Sequence, residues 1–196
     1  MTNYDIDTSE KLLDIAKKHA DCIKDYDNII ATYTKKLMSI GTDLHGVFFP
    51  ENEVYKYSIG HGRLTKNEKK RDFAYFFDEK DRLILTERYS NNGDDKAEKK
   101  LISLIFYYYY EDLTEIVWYS FRDNAVIDVE FIEYKNSNLI KYVHSYNIKF
   151  ELKYSEILSY QEHIYNADDK FIIKRTFCPN FIDGKGRETV GKIKKF

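Results

Sequence analysis

Asp128 and Glu130 stand two residues apart, so on an extended chain both carboxylates leave the same face. Paired carboxylates can move a proton or hold a cation where a pocket keeps water away from them. The neighbours expected here, Val117 and Tyr119, belong to an open sheet, which favours a solvated or protein-binding face over catalysis. The five histidines are His19, His45, His61, His144 and His163. None has zinc-ligand spacing to a cysteine or carboxylate, and His45-Gly46 and His61-Gly62 come nearest to metal candidates. No metal or cofactor is therefore expected. Two cysteines, Cys22 and Cys178, are too few for a disulfide framework or a Cys-rich zinc site. Cys178 precedes Pro179 with no histidine near it in sequence, a poor setting for a nucleophile. GxSxG, P-loop and GxGxxG motifs are missing. No catalytic residue is expected.

The chain that must position these groups has 196 residues and a formal charge of −2, from 31 Lys+Arg against 33 Asp+Glu. The length fits a single domain over 1–196. Hydrophobic residues make up 43% and charged ones 33%, which excludes a disordered chain. Without a basic excess, binding to nucleic acid is not expected. The N-terminus MTNYDIDTSE is too polar for a signal peptide, and no apolar run has membrane-spanning length. A cytoplasmic location follows as the expectation.

Leu12, Ala16, His19, Ile23, Tyr26, Ile30, Tyr33, Leu37 and Ile40 step by four and three, and Ile15, Cys22 and Ile29 widen the stripe. The spacing predicts one amphipathic helix over 8–40, with Ile23, Ile30 and Leu37 buried. Asp7 with Glu10 reads as its N-cap pair, Gly41 as its C-terminal residue, and Asp25–Asn28 as the place for a break. Such a helix lies on a sheet or joins two copies of the chain into a homodimer.

From residue 44 the period changes to two. Long β-branched and aromatic runs are broken only by short polar clusters, which predicts an antiparallel meander over 44–178 and a basic tail over 179–196. The fold class is thus α+β. Two-residue turns at Glu111–Asp112 and Asp123–Asn124, with a loop at Lys135–Asn138, set a register. It places Ile105, Tyr107, Ile116, Trp118, Ile127, Val129, Phe131, Tyr142, His144 and Tyr146 on a core face. Phe106, Tyr108, Glu115, Val117, Tyr119, Phe121, Asp128 and Glu130 fall on the other. Aromatics mixed with carboxylates suit recognition, so Tyr108, Glu115, Tyr119, Asp128 and Glu130 are the expected partner-binding residues. The alternative is a ligand cavity under the helix, lined by Trp118, Tyr142, His144 and Tyr146.

The segment Tyr75-Phe76-Phe77-Asp78-Glu79-Lys80-Asp81-Arg82-Leu83-Ile84 is similar to a YD-repeat hairpin, with Asp81 where that motif carries glycine. In style, a small chain pairing a helix with an aromatic-rich antiparallel sheet resembles the immunity proteins encoded beside bacterial polymorphic toxins. The resemblance implies a non-catalytic inhibitor whose partner is a toxin, and it assigns no site residues.

Overall fold

A computed structural model describes residues 3–44, 62–90, 99–135, 138–151, 154–166, 171–178 and 187–194, with side-chain surroundings for 8, 10–44, 62–90, 99–135 and 140–145. His45 and His61 lie outside the described residues, and Tyr146, His163 and Cys178 are described by their backbone alone. The chain falls into two compact units: residues 1–21, 108–118 and 125–196 in the first, 22–107 and 119–124 in the second.

The first unit opens with helix α1 (Asn3–Lys18). Leu12, Ile15, Ala16 and His19 are buried, as the stripe read from the sequence has them, and Thr8 is buried with them. The helix begins before the expected cap, so Asp7 lies inside it. Lys11 reaches Glu133 at 2.6 Å and stands 4.5 Å over the Phe131 ring, while the Lys141 ammonium donates to the Thr8 hydroxyl at 3.1 Å. The strands of this unit are the end of β5 (Leu101–Tyr109), most of β6 (Leu113–Ser120), β7 (Ala125–Lys135), β8 (Asn138–Glu151), β9 (Tyr154–Asn166), β10 (Phe171–Cys178) and β11 (Arg187–Lys194). From β6 to β11, chain neighbours are hydrogen-bonded neighbours, as a meander requires. The stretch expected as a basic tail carries strand β11, paired antiparallel to β10 from Phe171↔Lys194 to Cys178↔Arg187.

In the second unit the expected long helix is not formed. Its residues become a 3₁₀ turn (Cys22–Asp25), a short helix α2 (Tyr26–Thr32) and strand β1 (Lys35–Ile40). Tyr33 is extended, and Thr34 donates its backbone N–H to the Phe77 carbonyl and its hydroxyl to that of Asp78. The apolar strand β3 (Phe73–Phe77) offers residues 35–39 a full antiparallel partner. That long-range pairing outweighs a helical pattern whose last turns are rich in Thr and Tyr. Ile23, Ile30 and Leu37 are half-buried instead of buried. A dimer joined through a long helix thereby loses its basis. Gly41 does take a left-handed backbone (φ 89°), but it ends a strand. β1 lies between β2 (Arg63–Leu64) and β3, and β4 (Leu83–Tyr89) and β5 follow β3.

Between β3 and β4 the hairpin resembling the YD motif is formed. The Asp78 carboxylate accepts from the backbone N–H of Lys80 and Arg82 and from the Arg82 guanidinium at 2.7–2.9 Å. Burial works against ionisation of Asp78, yet these donors outweigh it and hold its carboxyl below the usual range. Asp81 takes φ 59°, the left-handed conformation for which the motif uses glycine.

One loop and one bulge differ from the register expected for the middle strands. The turn at Glu111–Asp112 has two residues as read, closed by the Tyr110 N–H on the Leu113 carbonyl at 2.8 Å. The next connection has four, Phe121–Asn124, with Asn124 left-handed at φ 50°. The β7–β8 pairing starts as expected, Lys135↔Asn138 and Tyr134↔Leu139, but a bulge at Glu133/Tyr134 then slips it by one residue. His144 therefore faces Glu130, not Val129, and Tyr142 faces Ile132, not Phe131. A slip of one moves a whole row of side chains to the other face.

Candidate functional site

Three clusters are built around buried carboxylates. The first gathers on β6, β7 and β8. Glu130 is 1% exposed, and its carboxylate accepts from Trp118 Nε1 at 2.8 Å and from the Tyr142 hydroxyl at 2.6 Å. His144 Nδ1 stands 2.9 Å from the same carboxylate, and the Trp118 and His144 rings meet edge-on with centroids 6.3 Å apart. Trp118, Tyr142 and His144, three of the expected cavity residues, are thus brought together. They gather round Glu130, which was expected on the opposite face. The bulge explains the exchange, because it turns Tyr142 and His144 onto Glu130's side. With Nδ1 held by a carboxylate, the imidazole is fixed in orientation, an arrangement able to position a proton or a polar ligand. The side chain of Tyr146 lies outside the described surroundings.

The second cluster sits at the end of α1. Glu115 is 4% exposed and receives Lys18 Nζ at 2.8 Å, with His19 Nε2 at 2.7 Å. His19 is buried and stacks on Tyr108 with ring centroids 3.9 Å apart. Lys18 also donates to the Tyr110 hydroxyl at 2.7 Å. Burial of Glu115 would raise its pKa, but the bonds from His19 and Lys18 outweigh burial and hold it below the usual carboxylate range. Tyr108 and Glu115 were expected on a partner-binding surface. In the structure the end of α1 packs against both. Tyr119, another member of that set, is 4% exposed and donates its hydroxyl to Asn124 Oδ1 at 2.7 Å. Asp128 is half-buried. The acidic-aromatic face read from the sequence is therefore not one open surface.

The third cluster was not read from the sequence. Glu87 on β4 is 4% exposed and accepts from the hydroxyls of Tyr26 at 2.6 Å and Tyr89 at 2.5 Å. Arg71 donates Nη2 to the Tyr89 hydroxyl at 2.8 Å and lies 4.2 Å over its ring. Burial foremost, then the Glu87 carboxylate, raises the pKa of both tyrosines, so both stay protonated donors. A signal was present. Leu83, Leu85, Glu87 and Tyr89 alternate as one inward row, and a carboxylate in such a row needs buried donors.

No protein-family model and no curated protein matches this chain. Among solved structures, a protein of unknown function from Bacteroides fragilis is similar. It is 13% identical, the match covers 60% of this chain and 86% of that one, and the TM-score is 0.44. That likeness carries no functional argument.

Among the described residues, no group of three or more His, Cys, Asp and Glu could hold a metal ion, and no helix is long and apolar enough to cross a membrane. Cys22 is buried. The described surface also carries exposed apolar residues. Ile102 is 37% exposed and Phe121 41%, and the Phe121 N–H donates to the Ile102 carbonyl at 3.1 Å, holding them side by side. Phe121 rests edge-on against Tyr119 with ring centroids 5.5 Å apart.

Proposed function

We propose that this chain is a non-catalytic binding module whose partner is another protein, acting in the cytoplasm as an inhibitor of the immunity type. The observation that carries the reading is the exposed Ile102–Phe121 pair. Two residues with large, exposed apolar side chains are joined through their backbones at a strand and a turn, where a partner's pocket can desolvate them as an anchor. The engagement of Glu87, Glu115 and Glu130 by the chain's own side chains also supports it, because each carboxylate then has a structural duty. The anchor of the interface thus passes from Tyr119 to its exposed neighbour Phe121.

The test uses the tagged chain as bait in an extract of its source organism, with mass spectrometry of what is retained. One protein should be enriched by the unmodified chain and lost with Phe121→Ala, while the melting temperature is unchanged. Equal capture by both chains refutes Phe121 as anchor. A purified chain that turns over a substrate refutes the reading as a whole.

A second reading, a small-ligand module, is favoured by the assembly of Trp118, Tyr142 and His144 round Glu130. Native mass spectrometry of the purified chain discriminates. A small molecule retained by the unmodified chain and lost with His144→Ala would displace the first reading.

A further inference from the structure

The cations of the second unit are not spread evenly. The start of β5, the end of β4, the 3₁₀ turn Glu68–Lys70 and the turn at Phe121 meet at one end of this unit's sheet. The Tyr89 N–H donates to the Asp72 carbonyl at 2.8 Å, the Ser90 N–H to that of Lys100 at 2.8 Å, and Lys99 Nζ to that of Lys70 at 3.2 Å. Phe121 joins the same end through Ile102. One antiparallel rung, Ser39↔Phe73↔Arg88↔Ser103, crosses four strands here.

The described carboxylates at this end already have hydrogen-bond or ion-pair partners. Asp72 is held by Lys99 at 2.5 Å and by the Gly41 N–H at 2.7 Å. Glu68 lies 3.6 Å from Lys36, and Glu87 is closed off by Tyr26 and Tyr89. Asp123 accepts from the Ser120 hydroxyl at 2.6 Å. Lys69, Arg88, Lys100 and Arg122 are exposed and have no ion pair among the described residues. Among the described residues at this end, four exposed cations thus stand against one exposed carboxylate without a cation partner, Asp123, and the apolar pair Ile102 and Phe121 lies among them.

From this juxtaposition we infer that the partner presents an acidic, apolar-bearing protein segment to the Ile102–Phe121 end of the second unit. The inference rests on the protein-binding reading and adds the partner's charge. A hydrophobic anchor among charges mainly of one sign selects a partner of the opposite sign and speeds its approach. A protein is favoured over nucleic acid on two counts. The tyrosines at this end, Tyr89 and Tyr119, are buried, which leaves Phe121 as the single exposed ring described beside the cations, short of the successive stacking platforms that a single-stranded nucleic acid uses. A chain of net charge −2 also gains little from long-range attraction to a phosphate backbone. The sign of these exposed charges is opposite to that of the acidic face read from the sequence.

The experiment measures fluorescence anisotropy of a labelled peptide of Glu, Leu and Phe with the full chain at low salt. The controls are the same peptide with Lys for Glu, and a labelled DNA duplex. The acidic peptide should bind, and Lys100→Glu with Arg122→Glu should weaken it at least tenfold, with a flatter salt dependence. Lys17→Glu with Lys80→Glu, remote in sequence from this end, should leave it unchanged. All four positions are exposed, so these variants should fold normally, as circular dichroism will verify. No binding of the acidic peptide, equal binding of the basic one, tighter binding of the duplex, or an equal effect of the remote pair overturns the inference. If Phe121→Ala loses the captured partner but the acidic peptide does not bind, the protein-binding reading stands and the acidic partner falls.

Discussion

Replacing Glu115 by Gln tests whether α1 is fastened electrostatically at its C-terminal end. The substitution keeps the shape of the side chain and removes its charge. The Glu115 side chain is 5% exposed and that of His19 9%, so the bond between them loses its charge assistance in a nearly dry setting. That loss is worth ~1.5–2 kcal/mol. The Lys18 side chain is 49% exposed, and solvent screening reduces its share to ~0.5 kcal/mol. The total is about 2–2.5 kcal/mol at neutral pH, or roughly 5–10 °C in melting temperature for a chain of this size. The pH dependence follows from the direction of the shift. The folded pKa of Glu115 is depressed, so its stabilisation is complete above the ordinary carboxylate value and is lost as pH falls through the folded one. Parent and variant should therefore differ fully at pH 7 and converge in acid. Urea unfolding followed by Trp118 emission measures this, because Trp118 is the single tryptophan and belongs to the same compact unit as Glu115. A difference below about 0.5 kcal/mol at pH 7, or one that persists undiminished in acid, refutes the fastening argument.

Other substitutions probe the second unit and the Glu130 cluster. Asp81→Gly should stabilise by ~0.5 kcal/mol in urea unfolding. It relieves the left-handed backbone at φ 59° and gives up only a solvent-exposed pair with Lys35. Ser103→Ala should be neutral or stabilising by up to ~1 kcal/mol, since its buried hydroxyl oxygen has no hydrogen-bond partner among the described residues; a clear loss in thermal unfolding would mean that the hydroxyl is satisfied. Glu130→Ala should cost ~3–5 kcal/mol, because Trp118, Tyr142 and His144 lose their common acceptor. It should also move the Trp118 indole N–H resonance upfield, and an unmoved resonance would contradict the bond.

The sequence by itself determined much of this protein. The alternation from residue 44 onward carries the antiparallel strands, because a period of two is a local property of an extended chain. The stripe Leu12–Ile15–Ala16–His19 placed one face of α1 inside, and Asp78 to Arg82 specified the hairpin with Asp81 at its left-handed position. The two-residue turn at Glu111–Asp112 was legible for the same reason. Tertiary structure decided what no local pattern contains. Residues 35–40 satisfied the helical stripe equally well, and only the availability of Phe73–Phe77 as a pairing partner made them a strand. The face on which Tyr142 and His144 stand turned on one extra residue in β8, Ile140, which falls opposite the Glu133/Tyr134 step of β7. The extra residue breaks the alternation of β8 between Leu139 and Tyr142, and nothing in the pattern of either strand marks where it falls. That residue brought Glu130 together with His144, while α1 settled on Glu115 and Tyr108. Exposure is likewise a property of the packed whole. Tyr119 and Phe121 alternate on the same side of one run, yet packing buries the first and leaves the second in water.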